Sequence, residues 1–194
     1  MGDFTHFDLQ GNAVMADVSG KSVTDGEAVA CGRILMSQEC FHLVKGGGMK
    51  KGDVLGVARV AGIMGAKKAS ELIPLCQITG LTGAEIEFEL RPEICAIEAR
   101  CTARTEGRTG GEMEALTGVN IALLTIYDMC KAVDKGMFIE SIHLVHKSGA
   151  KSGTWTDGEE AAPGSLKLWG EKREQACRNK KSDPGDVSLW DMNK

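Results

Sequence analysis

Apolar and polar positions change period repeatedly along the chain, and the changes mark its elements. From Glu27 to Met36 small and β-branched residues alternate loosely (Ala28, Ala30, Gly32, Ile34), which predicts a strand. A short helix is expected from Ser37 to Val44, ended by Gly46, Gly47 and Gly48. From Asp53 to about Leu72 the spacing turns helical. Val54, Leu55, Ala58, Ala61, Met64 and Ala66 supply an apolar surface, and Lys67 and Lys68 suit the negative end of the helix dipole. Pro74 follows where a helix stops.

Residues 84–90 (AEIEFEL) alternate strictly and predict a half-buried strand. Residues 94–103 alternate less strictly and pair with them through a turn at Arg91-Pro92-Glu93. Thr109 to Lys131 reads as the main helix. Thr109 and Glu112 have capping-box spacing, and Asn120–Cys130 is apolar almost all round, so most of its sides should be buried. Residues 137–146 form a last strand. The order strand, helix, strand, strand, helix, strand is the split βαβ pattern. The expected fold is therefore α+β, a ferredoxin-like sandwich with an antiparallel sheet and an extra short helix. A helix so apolar also suggests that part of its surface meets another subunit.

Residues 1–20 show no period and read as an irregular arm. Residues 1–152 then form one domain, and residues 153–194, polar and poor in aliphatics, are expected to be a flexible or loosely attached tail that Trp155, Trp169 and Trp190 could anchor in places. The 194 residues suffice for one real core plus such a tail. Hydrophobic residues make up 42% and charged residues 26%, a soluble balance. The formal net charge of -4 gives no basic field for nucleic acid, so an anionic ligand needs a local lysine cluster. No apolar run is long enough for a membrane span and no secretory segment stands at the N-terminus. The seven cysteines include no C-x-x-C pair, and several sit in apolar runs, which fits free thiols in a reducing, cytoplasmic setting. His143 and His146 form an H-x-x-H pair without further ligands nearby in sequence, so no metal site is assigned.

Five constellations carry candidate chemistry, each with a plainer reading beside it. Lys50-Lys51-Gly52-Asp53 precedes a helix and suits a phosphate, or is a solvated turn. Glu112-Met113-Glu114 offers two carboxylates on nearly opposite helix faces, or a cap and a solvated face. Asp128 and Lys131 share a face at the end of an apolar helix, where acid/base groups are tuned, or form a structural ion pair. Lys147 and Lys151 flank a small hydroxyl-bearing loop that suits an anion, or a polar exit into the tail. Leu75, Cys76 and Gln77 lie in an apolar loop, where Cys76 is a reactive thiol or a packing residue.

Longer strings identify the pattern as one that resembles the cyclic pyranopterin monophosphate synthase family, across roughly residues 4–155. They are Met15–Lys21, Lys51–Leu55, Ala58–Ile63, Leu72–Cys76, Thr109–Thr117, Ala122–Val133 and Lys147–Gly153. The resemblance implies a homo-hexamer, a trimer of dimers, with its active site at a subunit interface. The implied reaction turns 3′,8-cyclo-7,8-dihydroguanosine 5′-triphosphate into cyclic pyranopterin monophosphate and diphosphate, a lyase step of molybdenum cofactor biosynthesis. Asp128 and Lys131 match the acid/base positions and Lys51 a catalytic or phosphate-contacting lysine. Leu75, Cys76, Gln77, Glu112, Met113 and Glu114 match substrate-contacting segments, and Lys147 and Lys151 anion contacts. No cofactor is required by this reading, with a divalent cation such as Mg allowed for beside the phosphates.

The chain departs from the family at several points. Gln77 and Ile78 stand where it usually has His-Pro, and an amide cannot shuttle a proton as imidazole does. Gly26 lies near a usual arginine, and Ala150 replaces a glycine. Gly111 and Gly118 stand where alanine or valine is usual, at a cost of about 1 kcal/mol for each interior helical glycine. Two alternatives therefore stay open: a homologue acting on another modified purine nucleotide, and a non-catalytic subunit that binds nucleotide or pterin.

Overall fold

Among the residues described by the computed structural model (6–8, 10–149 and 153–157), the chain runs β1 (Thr24–Leu35), α1 (Gln38–Lys45), α2 (Val54–Lys67), α3 (Ala69–Leu72), β2 (Gly80–Arg91), β3 (Ala96–Gly107), α4 (Glu112–Cys130), β4 (Phe138–Ser148) and β5 (Trp155–Thr156). The sheet order is β2-β3-β1-β4-β5, with every neighbouring pair antiparallel. The first four strands have the expected ferredoxin-like order, and the fold is α+β. Of the expected tail, only residues 153–157 fall among those described; β5 lies there and pairs with His146 and Lys147.

The core forms between the sheet and α4. Val119, Ala122, Leu123 and Ile126 are fully buried against small residues of β1 and β3, including Ala28, Ala30, Ala99 and Cys101. Each large aliphatic side chain buried this way contributes roughly 1.5–3 kcal/mol. Gly32 permits the approach: a Cβ there would lie 2.7 Å from Ile142 Cγ1 and 2.9 Å from Val119 Cγ1. Helices α2 and α4 meet through two further glycines. A Cβ on Gly62 would lie 3.0 Å from the Gly118 carbonyl, and one on Gly118 would lie 2.6 Å from Cys101 Sγ. Gly118 is thus a close-packing residue, and its low helix propensity is offset by the approach it allows.

Several local expectations need correction. The helix expected through Leu72 divides at Lys68, whose φ of -108° ends α2 and starts α3. The Thr109–Glu112 capping box does not form: Gly111 is the N-cap of α4, without a side-chain cap bond, and Glu112 is drawn to Lys147 instead. Gly111 is therefore a helix boundary rather than an interior glycine. The β2–β3 connection is Pro92–Cys95, closed by Cys95 at a φ of 51°. The other starts follow simple chemistry. Ser37 Oγ accepts from the Cys40 amide at 3.3 Å and Asp53 Oδ1 from the Gly56 amide at 2.9 Å, capping α1 and α2.

Candidate active site

The expected site residues fall into two groups at opposite ends of α4. At its N-terminal end lies a cavity of about 710 Å³. The loop after α3 lines it with Leu75, Cys76, Gln77 and Thr79, and the start of α4 with Glu112, Met113 and Leu116. The arm supplies His6, Ala16, Val18 and Lys21. Lys147, at the end of β4, donates to Glu112 Oε1 at 3.0 Å, which ties β4 to the first turn of α4. Both side chains are about three-quarters buried. Glu114 is 4% exposed and accepts from the Thr79 hydroxyl, while its second oxygen has no hydrogen-bond partner among the described residues. A buried carboxylate oxygen left unpaired is costly unless a ligand or proton completes it.

The arm crosses this cavity and is held by side chains. Gln77 Nε2 donates to the Ala16 carbonyl at 2.7 Å, and Arg108 Nε to the Lys21 carbonyl at 2.9 Å. Burial pushes the Cys76 thiol above its usual range, and the carboxylates of Glu114 and Glu112 push it further. Cys76 therefore stays protonated near neutral pH and lines the cavity as an uncharged group.

At the C-terminal end of α4, Asp128 stands between two ammonium groups. Lys131 Nζ lies 2.7 Å from Asp128 Oδ1. Lys51 Nζ donates to the Asp128 carbonyl at 2.9 Å and lies 3.7 Å from its carboxylate. Hydrogen bonding from Lys131, then the charges of Lys131 and Lys51, hold the Asp128 carboxyl below the usual carboxylate range. Asp128 in turn holds Lys131 above the usual amine range. All three side chains are open to solvent. The loop ending in Gly52, at a φ of 87°, carries Lys51 to this spot.

The two groups do not meet within one chain. At ~1.5 Å per residue, roughly 20 Å of helix separates Glu114 from Asp128. Lys151 lies outside the described residues. The arm residues His6 and Lys21, and Arg108 that fastens the arm, were not singled out from sequence; the only signal for Lys21 was its place in the Met15–Lys21 string. Gly26 leaves little room for a larger side chain, since a Cβ there would meet Thr105 Oγ1 at 3.1 Å. Among the described residues no cluster of three or more His, Cys, Asp or Glu could hold a metal. His143 and His146 instead contact the Ser141 carbonyl and the Thr156 hydroxyl. No described helix is long and apolar enough to cross a membrane.

Residues 15–150 match the MoaC family. The chain is 55% identical over 150 residues to the cyclic pyranopterin monophosphate synthase of Clostridium botulinum (strain Alaska E43 / Type E3), covering 77% of this chain and 94% of that protein. It is 57% identical over 149 residues to the protein of the same name from Clostridium perfringens (strain 13 / Type A), covering 77% and 94%. Against that of Pelotomaculum thermopropionicum it is 54% identical over 162 residues, covering 83% and 95%.

Proposed function

The chain belongs to the MoaC family, and on that premise we propose that it is a cyclic pyranopterin monophosphate synthase. It converts 3′,8-cyclo-7,8-dihydroguanosine 5′-triphosphate to cyclic pyranopterin monophosphate and diphosphate, a lyase reaction of molybdenum cofactor biosynthesis. The observation that carries the chemistry is Asp128 held ionised between Lys51 and Lys131. Opening and rebuilding the purine-derived ring needs proton transfers, which an ionised carboxylate beside an ammonium group supports. Departure of diphosphate needs charge neutralisation, which Lys51 and Lys131 supply. The cavity residues Leu75, Cys76, Gln77, Glu112, Met113 and Glu114 receive the pterin-forming part, with Lys21 and Lys147 toward the anionic end; by the family resemblance Lys151 is a further anion contact. No step needs an organic cofactor; a divalent cation such as Mg would ride with the substrate phosphates.

The separation of the two groups along α4 supports a site completed between subunits. One chain contributes the cavity, and its neighbour contributes Lys51, Asp128 and Lys131. An exposed apolar stripe supports association: Val57, Val60 and Met64 on α2 are about half exposed, as is Leu124 one turn before Asp128. The assembly we propose is a homo-hexamer, a trimer of dimers.

The test is turnover of the purified cyclised GTP derivative, following pterin and diphosphate. Wild type should release both, and Asp128→Ala should lose at least a hundredfold, the scale of a positioned acid/base group, about 10²–10⁴. A wild type that binds the substrate and releases no diphosphate would contradict the reading.

A further inference from the structure

Gln77 raises a question that the catalytic reading leaves open, because its amide does not titrate near neutral pH. Its surroundings answer it. Among the described residues of the arm there is no strand or helix, and most of the hydrogen bonds there are local, such as Lys21 N to the Val18 carbonyl and Ser19 N to Asp17 Oδ1. Among the described residues, two side-chain bonds fasten the stretch from Ala16 to Lys21 to the body: Gln77 to the Ala16 carbonyl and Arg108 to the Lys21 carbonyl. The same stretch forms one wall of the cavity through Ala16, Val18 and Lys21. Removing either bond leaves that wall held at one end.

We infer that Gln77 is a positioning residue, a latch whose side-chain N–H holds the arm in place as a wall of the substrate cavity. The inference rests on the reading of that cavity as the substrate site. It also accounts for the exchange of residue types at this position. The Nε2 of glutamine and the Nε2 of histidine lie the same number of bonds from Cβ, and each presents an N–H to a carbonyl. The bond to Ala16 thus survives the change from imidazole to amide, whereas proton transfer does not. Leucine fills similar volume and offers no donor.

The experiment compares intact wild type with Gln77→Leu and Gln77→His, by amide hydrogen exchange over residues 13–21 and by steady-state turnover of the cyclised GTP derivative. Gln77→Leu should speed exchange in the arm and raise KM about fivefold, the scale of one neutral hydrogen bond, with little change in kcat. Gln77→His should restore wild-type arm protection and KM. Unchanged arm exchange in Gln77→Leu would overturn the latch. So would a collapse of kcat at constant KM, which marks a chemical role. Should wild type prove inert, the synthase reading falls, and the exchange comparison alone still decides the latch.

Discussion

Lys131 lies 2.7 Å from Asp128 at i, i+3 on the last turn of α4, and each shifts the other's titration away from neutrality. The carboxyl is held low by the Lys131 hydrogen bond and the two ammonium charges, so Asp128 stays ionised well into acid. The ammonium is held high, so Lys131 stays protonated well into alkali. In Asp128→Asn that support is gone, and Lys131 should drop toward its ordinary range. Labelling with an amine-reactive reagent at about pH 9 should then modify Lys131 several-fold faster than in wild type, read by peptide mass spectrometry. Equal rates would mean the pair is not formed in solution.

Gly118 and Cys101 make the second test. A Cβ on Gly118 would meet the Cys101 sulfur at 2.6 Å. Overpacking costs about 1–3 kcal/mol, more than the ~1 kcal/mol that alanine gains in helix propensity. Gly118→Ala should therefore destabilise, and adding Cys101→Ala should recover part of the loss. Denaturant unfolding at fixed protein concentration should give a coupling of at least about 0.5 kcal/mol. Strict additivity would show that α4 and β3 pack less closely there.

Cys76 tests the electrostatics of the cavity. Its thiol is raised by burial and then by Glu114 and Glu112. Alkylation at neutral pH should be slow compared with a free thiol, and Glu114→Gln should speed it, since removing a nearby negative charge favours thiolate. Cys40 and Cys101, each pushed up to about 12 by burial, should stay unlabelled in the native protein.

Much of the fold is legible in the residues. Strand β2 alternates because one face packs on the helices while Glu85, Glu87 and Glu89 face away from them, and α4 announces itself because most of its sides are buried. The Thr109–Glu112 spacing does not become a cap of α4 because Lys147, distant in sequence, competes for Glu112. The arm was legible only as irregular, since bonds from Gln77 and Arg108 to its carbonyls leave no period. Spacing alone could pair Asp128 with Lys131 but not with Lys51, which arrives from a distant loop; only the family resemblance grouped the three. The same resemblance placed Glu114 and Asp128 in one site, and the helix between them sets how that must be met.

That distance is the basis for the most direct measurement. Glu114→Ala and Asp128→Ala, each purified alone, should be nearly inactive. Co-expressed or dissociated and reassembled together, they should regain a substantial fraction of wild-type turnover, because some sites in mixed assemblies pair an intact cavity with an intact Asp128. Mixed assemblies, verified by mass, that remain as inactive as either parent would contradict a site shared between subunits.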